Sequence, residues 1–361
     1  MWIVWTLLLI VALLWILGLW FGRGKDLTSF DHPPDPEGHE LFSSPGGPSA
    51  EHQQACRDIQ AMEGEIKGLS RKERLQFTRD FMENVPEGKE FNCEFVPANA
   101  GGVPAEWVLA PGVDSSRRVL YIHGGAFIAG SPNSHRTVTS RFSELANAAV
   151  LAIDYRLMPE NRREEGIEDC KTAYRWILEN GPDGAKLPSR LYVGGDSAGG
   201  NLSLVMAAWI RDQKLRSPDA VFALSPLTDS TYSGPSIEGN LKTDIMLGPL
   251  FGALLKIPKA ILGWIFVLEN KIRPSNPVVS PLFGNLSGLP PILVQVSESE
   301  MLLDDARRYV NKARAAGSPV HLQSWPGLLH VWQIFHPDVP EAVDAMNQIG
   351  DFIEAIEAGN S

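Results

Sequence analysis

A serine flanked by small residues is the strongest chemical signal in the chain. Residues 195–201 read GDSAGGN and place Ser197 in a G-x-S-x-G motif between the apolar run RLYVG and an amphipathic segment. A strand–turn–helix with this motif holds a serine hydroxyl in a sharp turn, exposed above a sheet. The free amides and the dipole at the start of that helix favour negative charge. The motif therefore predicts a nucleophilic serine, with the amide of Ala198 directly after it.

A second motif lies upstream, at the end of the apolar run RVLYIH. Residues 123–127 read HGGAF. Acyl transfer needs N–H donors aimed at the oxyanion of its tetrahedral intermediate, and a glycine-rich turn after a strand can supply them. A Gly-Gly pair alone is more often only a turn, but its place before the serine motif favours an oxyanion hole. We assign that hole to Gly124, Gly125, Ala126 and Ala198; Gly124 permits the turn and the other three donate their amides.

These motifs need a scaffold of alternating strands and helices. Short apolar runs predict strands at residues 91–96, 107–110, 118–123, 150–154, 190–194, 221–224, 292–296 and 320–324. Apolar spacings of three and four predict helices around residues 59–69, 75–82, 165–179, 201–212, 303–316 and 339–356. This alternation argues for a largely parallel sheet with helices on both faces. Reactive groups gather at the carboxyl ends of such strands, where both motifs lie.

Composition narrows the class of protein. The chain has 361 residues, 44% hydrophobic and 21% charged, which is enough for a packed core of one large domain with an insertion or of two domains. The net charge of -11 argues against a nucleic-acid partner. Cys56, Cys93 and Cys170 are too few and too scattered for a disulfide framework, and no CxxC pair indicates zinc.

The first 22 residues form an apolar run without a charged side chain. About 20 such residues span a hydrocarbon core of about 30 Å, and Trp2, Trp5 and Trp20 lie near the ends, where aromatic rings favour the interface. A basic n-region and an A-x-A cleavage site are both missing, so we expect a single-pass membrane anchor, with a cleaved signal as the alternative. Arg23 and Lys25 mark the side of the catalytic domain too weakly to assign it.

Two further segments interrupt the strand–helix pattern. Residues 23–50 are rich in Pro and Gly and predict a tether; the alternative is an ordered strap on the domain. Residues 245–270 form an apolar stretch broken by prolines and lysines. These apolar residues either pack over the core or line an acyl pocket and dip into the bilayer beside the anchor.

Six stretches, in this order, resemble the hormone-sensitive-lipase-like branch of the α/β-hydrolases, the bacterial family IV esterases. They are HGGAFIAGS, DYRLMPE, GGDSAGGN, SPLTD, residues 279–309 and GLLHVW. The resemblance begins near residue 51 and leaves the apolar N-terminus outside. It implies an α/β-hydrolase fold with a mostly parallel sheet of about eight strands, helices on both faces and a helical cap.

The N-terminal sequence pattern and the resemblance together predict a domain organisation. We expect a transmembrane anchor at residues 1–22, a linker at 23–50 and N-terminal cap helices at 51–88. The hydrolase core should then occupy residues 89–228 and 277–361, with a cap insertion at 229–276 between its two parts.

In this family the catalytic acid is most often an aspartate in a D-x-L-x-D pattern. The aligned stretch here reads EMLLD and places Glu300 in that role. Glutamate is one methylene longer but equivalent as an orienting carboxylate. Glu298, Asp304 and Asp305 are alternatives, although both aspartates suit the start of a helix.

The base must follow the acid along the chain. Five of the eight histidines lie before the serine, and His321 falls inside a strand pattern. His330 lies in the loop after the last strand and is favoured by both order and resemblance; His336 is the alternative. A second departure is Ala126, where the family usually shows HGGG. Its N–H can still complete the hole if the turn does not demand a positive φ there.

These residues predict a serine carboxylic ester hydrolase that needs no metal or organic cofactor. Short to medium acyl esters are the expectation from the family, and lipid esters are suggested by the anchor. Lactone or amide hydrolysis by the same triad is an alternative. A non-catalytic ligand-binding relative is a third possibility, which the intact Ser197, Glu300 and His330 disfavour.

Overall fold

The computed structural model describes residues 1–43 and 46–359. The α-helices of these residues are α1 (Trp2–Gly22), α2 (Ala50–Ile66), α3 (Arg71–Asn84), α4 (Arg136–Ala146), α5 (Arg163–Ile177), α6 (Ala198–Asp212), α7 (Ser236–Gly239), α8 (Gly248–Leu254), α9 (Lys259–Asn270), α10 (Leu303–Ala315) and α11 (Pro340–Glu357). The strands are β1 (His39–Leu41), β2 (Glu94–Ala100), β3 (Val103–Leu109), β4 (Asp114–Ile122), β5 (Ala148–Ile153), β6 (Asn180–Gly181), β7 (Gly184–Ala185), β8 (Arg190–Asp196), β9 (Ala220–Leu224), β10 (Ile292–Ser297) and β11 (Val320–Trp325).

A nine-stranded sheet organises the described residues. Its strand order is β1-β11-β10-β9-β8-β4-β5-β3-β2. The first seven strands in this order, β1 through β5, all pair in parallel with their neighbours. The next strand, β3, pairs antiparallel with both β5 and β2. The central strands are buried along almost their whole length, as continuous apolar runs such as AAVLAI in β5 require. The predicted α/β-hydrolase fold is confirmed, with β1 as an edge strand from the N-terminal segment.

Two apolar cores cover the two faces of the sheet. On one face, Ile167 of α5, Leu202 of α6 and Tyr309 of α10 belong to one continuous buried cluster. On the other, Phe142 of α4 and Ile349 of α11 pack in a second cluster. Alternate residues of β4 point into the two clusters, as the two-residue period of a strand requires. The sheet is therefore covered by helices on both sides.

The segment before α2 lies on the domain and is not the free tether we expected. β1 pairs in parallel with β11 and covers what would otherwise be the open edge of the sheet. Leu27 is buried, Asp31 forms an ion pair with Arg308, and the carbonyl of Phe30 accepts from Asn311 Nδ2 at 3.0 Å. The described part of this segment is thus the ordered strap that the sequence left as an alternative.

The chain between β9 and β10 leaves the sheet and forms α7, α8 and α9. Phe251 of α8 and Phe266 of α9 pack against the first core cluster. The N-terminal helix α1 runs without interruption over 21 residues. Its stretch Val4–Gly22 has a mean hydropathy of 2.5 and only 6% of it is buried, so α1 is long and apolar enough to cross a membrane; a signal sequence has the same character.

Candidate active site

The turn between β8 and α6 presents Ser197. Its backbone has φ +51°, a conformation that residues other than glycine rarely adopt. The turn closes because glycines lie two residues before and two residues after Ser197: a Cβ on Gly195 would lie 2.4 Å from the carbonyl oxygen of Ile122, and a Cβ on Gly199 would lie 1.8 Å from it. Ser197 is half-buried while the residues on both sides are buried. The turn therefore holds one accessible hydroxyl in a fixed, strained position.

His330 and Glu300 meet this serine from two other loops at the carboxyl edge of the sheet. His330 follows β11, and its Nε2 lies 2.9 Å from Ser197 Oγ. Glu300 follows β10, and its Oε2 lies 2.6 Å from His330 Nδ1. The structure thus brings together the three residues predicted as nucleophile, base and acid, at hydrogen-bond distances. A histidine between a hydroxyl and a carboxylate can accept the hydroxyl proton on one nitrogen while the carboxylate orients the other.

The second oxygen of Glu300 is also fully occupied. Glu300 Oε1 accepts from Ser225 Oγ and from the amide of Ser297, each at 2.7 Å. The three rival acids have other partners. Glu298 pairs with Arg307, Asp304 accepts from the amide of Ser236, and Asp305 accepts from the amides of Thr228 and Asp229. Of these four acids, Glu300 is the one that is hydrogen-bonded to His330.

Burial and charge act in opposite directions on the buried pair. Burial raises the pKa of Glu300, and the neighbouring His330 offsets part of that rise. Burial lowers the pKa of His330, but the charge and hydrogen bond of Glu300, together with the Asp244 and Asp196 carboxylates, raise it by more. The net pKa of His330 lies above its ordinary value. A more basic imidazole is a stronger proton acceptor, as long as the pH is high enough to keep it neutral.

The glycine-rich turn faces the serine from the end of β4. Gly125 has φ +107°, and a Cβ there would lie 2.2 Å from the carbonyl oxygen of Ala129. The amides of Gly125 and Ala126 have no acceptor among the described residues, and the amide of Ala198 lies at the open start of α6. The Gly124 amide instead donates to Asp196 Oδ1 at 3.1 Å. Gly124 therefore shapes the turn, and the other three amides are the available donors.

Ala126 adopts φ +54°. We expected Ala126 to complete the hole if the turn did not require a positive φ there. The structure shows that the turn does require a positive φ at this position. The turn nevertheless keeps its shape with an alanine. A left-handed conformation costs an L-residue about 1–2 kcal/mol, which explains why glycine is usual here.

A buried polar network that the sequence did not predict supports both turns. Asp196, next to the serine, accepts from Tyr121 Oη at 2.8 Å and lies 3.3 Å from His135 Nε2. Burial raises the pKa of Asp196, but His135, the Tyr121 hydroxyl and His123 together lower it by more, so the net shift is downward. His123 is fully buried and burial lowers its pKa to about 3, which keeps it neutral. These groups connect the serine turn to the oxyanion turn.

Residues of α2 and of the segment between β9 and β10 also contact the loops that carry Glu300 and His330. Asn240 Nδ2 donates to the carbonyls of Glu298 and Glu300, at 2.9 and 2.7 Å. Asp244 Oδ2 accepts from the amide of Met301 at 2.9 Å. His52 Nε2 of α2 accepts from the amide of Leu329, the residue before His330, at 2.9 Å. Nothing in local sequence spacing points to these residues, since each contact joins distant parts of the chain.

No group of three or more His, Cys, Asp or Glu side chains within residues 1–43 and 46–359 has the arrangement of a metal site.

Comparisons with known proteins agree with this site. Residues 119–334 match the family described as alpha/beta hydrolase fold. The chain is 37% identical over 253 residues to an acetyl-hydrolase of Streptomyces hygroscopicus, covering 70% of this chain and 80% of that protein. It is also 37% identical over 272 residues to the carboxylesterase/phospholipase LipF of Mycobacterium tuberculosis, covering 73% of this chain and 69% of that protein.

A solved structure shows the same relationship. An esterase of the bacterial hormone-sensitive lipase family superposes with a TM-score of 0.72 at 34% identity, covering 84% of this chain and 97% of that one. The chain belongs to the hormone-sensitive-lipase-like family of α/β-hydrolases and is a carboxylic ester hydrolase.

Proposed function

We propose that this protein is a membrane-anchored serine esterase that hydrolyses short to medium acyl esters through Ser197, His330 and Glu300. The observation that carries the proposal is the pair of hydrogen bonds that joins the three residues in line, 2.9 Å from Ser197 Oγ to His330 Nε2 and 2.6 Å from His330 Nδ1 to Glu300 Oε2.

Acylation begins at the serine hydroxyl. Ser197 Oγ attacks the ester carbonyl carbon while His330 Nε2 accepts its proton. The Glu300 carboxylate holds the hydrogen on Nδ1, so that Nε2 is the basic nitrogen, and stabilises the imidazolium that forms. The imidazolium then returns its proton to the departing alkoxide. The products of this half-reaction are an alcohol and an acyl-serine.

Negative charge on the carbonyl oxygen is stabilised by backbone amides. The amides of Gly125, Ala126 and Ala198 are preorganised as its donors. Losing one such donor costs about 10²–10³ in rate. The amino end of α6 adds its dipole to the same site. In deacylation, His330 accepts a proton from the water that attacks the acyl-serine and then gives it to Ser197 Oγ, so that the carboxylic acid leaves and the serine hydroxyl is restored.

The relatives support the substrate class. One is named an acetyl-hydrolase and another a carboxylesterase/phospholipase. Lipid-ester hydrolysis is the second candidate, and the observation that favours it is the exposed apolar helix α1. A lactone or amide would react at the same three residues, because the triad acts on any acyl carbon.

Membrane anchoring through residues 1–22 is part of the proposal. α1 is 21 residues long, about 31 Å, which matches a hydrocarbon core of about 30 Å. Most of its large apolar side chains are exposed, because the other described residues cover only a small part of the surface of this helix.

A chain-length series tests the function. The full chain in detergent and the variant without residues 1–25 are assayed on p-nitrophenyl esters of increasing acyl length. The proposal predicts activity that is highest on short to medium chains and absent in Ser197→Ala. Ser203→Ala, which changes a buried serine on the same helix, is the matched control and should retain activity. A maximum at long chains would favour the lipid-ester candidate, and full activity in Ser197→Ala would refute the serine mechanism.

A further inference from the structure

The last two turns of α1 cross the cap helix α9 in direct backbone contact. A Cβ on Gly18 would lie 2.2 Å from the carbonyl oxygen of Ala260, and a Cβ on Gly263 would lie 2.2 Å from that of Gly18. Gly22 also lies against Gly263. Gly18 and Gly22 form a small-xxx-small pair, which lets two helices approach closely in a membrane. The crossing depends on glycine on both helices.

Polar and aromatic contacts fix the same crossing. Trp264 Nε1 donates to the carbonyl of Leu14 at 2.8 Å, and the ring of Trp264 meets that of Phe21 edge to face. Arg273, just after α9, donates to the carbonyls of Trp20 and Arg23 at 2.6 and 2.9 Å. Its guanidinium also lies 4.1 Å from the centroid of the Trp20 ring. These contacts hold α9 at one defined height along α1.

That height can be compared with the bilayer. If α1 spans the hydrocarbon core, almost all of its 21 residues are needed to cross it. The crossing point lies between Gly18 and Gly22, so α9 sits within about 6 Å of the end of the span. A helix at this depth lies in the interface, where amphipathic helices bury their apolar face about 5–10 Å deep.

The free face of α9 has the matching chemistry. Ile261, Ile265 and Leu268, spaced four and three apart, are exposed on this helix, and Leu250 is exposed on α8. Exposed lysines stand at both ends of α9, Lys259 and Lys271. The one acidic side chain of α9, Glu269, lies 3.5 Å from Arg71. An apolar stripe between cationic ends is typical of a helix that lies on a lipid surface.

We propose that α9 is a half-embedded interfacial helix, and that the α1–α9 crossing forms a single membrane-binding surface whose partner is the lipid bilayer. The inference rests on the proposed membrane anchoring. It adds that the cap itself enters the leaflet. Phe251 and Phe266 pack the cap against the core. The membrane-binding surface therefore also determines the orientation of the catalytic domain relative to the bilayer.

Depth-dependent quenching tests the proposal on the full chain in phosphatidylcholine vesicles. An NBD label is placed in turn at Leu8→Cys on α1, Ile265→Cys on α9 and Leu187→Cys, with the half-buried Cys56 and Cys93 changed to serine and the buried Cys170 kept. Leu187 is a control because its side chain is 74% exposed and it lies just before β8. It is therefore at the amino ends of the parallel strands, whereas Ser197 and the loops that contact the cap lie at their carboxyl ends. Doxyl-labelled lipid should quench the labels at Leu8 and Ile265 and leave that at Leu187 unquenched.

The outcomes separate this inference from the anchoring itself. Quenching at Leu8 without quenching at Ile265 would overturn the embedded cap and leave the anchor in place. Absence of quenching at Leu8 would overturn the anchor and this inference with it. Equal quenching at Leu187 and Ile265 would contradict the proposed orientation.

A second variant tests the helix crossing. Gly263→Leu has no room against Gly18 and should reduce quenching at Ile265, while the label at Leu8 stays quenched. Gly252→Leu is the matched control on α8, since a Cβ there has only the Leu241 side chain within 4 Å, at 3.8 Å, and it should leave quenching at Ile265 unchanged. Unchanged quenching in Gly263→Leu, with a native circular dichroism spectrum, would show that the crossing does not place the cap.

Discussion

The hydroxyl of Ser225 donates to Glu300 Oε1 at 2.7 Å, on the side of the carboxylate away from His330. The same Ser225 oxygen accepts from the amide of Val331, the residue after His330, at 3.2 Å. One serine at the end of β9 thus connects the acid loop to the base loop. We assign Ser225 as a positioning residue, because it acts on the reaction only through Glu300 and His330.

We expect Ser225→Ala to lower kcat by about ten- to a hundredfold, since a hydrogen bond to a charged group contributes about 1.5–3 kcal/mol. Loss of this donor also makes the Glu300 carboxylate more basic and removes a dipole that opposes positive charge on His330, so the pKa of His330 rises. The acid limb of the kcat/KM profile should therefore move to higher pH. A lower kcat with an unmoved acid limb would show that Ser225 has only a structural role.

Glu300→Gln removes the charge that orients and stabilises the imidazole. We expect kcat to fall by about 10³- to 10⁴-fold, less than in Ser197→Ala or His330→Ala, because a neutral amide still reaches His330 Nδ1. Glu298→Gln is the matched control and breaks only an ion pair with Arg307. Steady-state kinetics on a soluble ester measure both. A silent Glu300→Gln together with an inactive Glu298→Gln would show that the acid is misassigned.

The pH dependence follows from the charge around His330. Its pKa lies above the ordinary value, because the Glu300, Asp244 and Asp196 carboxylates together outweigh the effect of burial. The base works only when neutral, so kcat/KM should rise with pH through an inflection above about 6.5. Asp244→Asn removes one negative charge, lowers the pKa of His330 and should shift that inflection to lower pH. A shift to higher pH would contradict the electrostatic account.

Ala126→Gly should stabilise the fold by about 1 kcal/mol, because glycine adopts the φ of +54° without the cost that alanine incurs. The midpoint of urea unfolding measures the effect. Ala129→Gly, in the same loop but without a positive φ, is the matched control and should destabilise the protein by creating a small cavity. A lower midpoint for Ala126→Gly would mean that the methyl group contributes more than the strain costs.

The local parts of the site could be predicted from the sequence. Ser197 and the turn at residues 123–127 lie in continuous motifs whose glycines are required by close backbone approach, and such requirements can be read in one stretch of chain. Strands such as β5 and β10 are short apolar runs, and their existence was predicted correctly with ends shifted by a few residues.

The rest depends on contacts between distant segments. Asn240, Asp244 and His52 reach the acid and base loops only after the cap has folded over the sheet, and no spacing in the sequence marks them. Helix α4 was not predicted, because polar residues such as Thr137, Thr139 and Ser140 lie among its apolar ones and become buried only when the helix packs against the sheet. The strap at β1 was expected to be a tether, since its Pro- and Gly-rich sequence gives no sign of the sheet edge that it covers.

The central claim is that His330 activates Ser197. Intact-mass spectrometry after reaction with a fluorophosphonate, followed by peptide mapping, measures this activation directly and without knowledge of the natural substrate. We predict one adduct per chain, located on Ser197, formed rapidly in the unaltered protein and slowed by several orders of magnitude in His330→Ala. An adduct on another residue, or equal rates in the two proteins, would contradict the proposed mechanism.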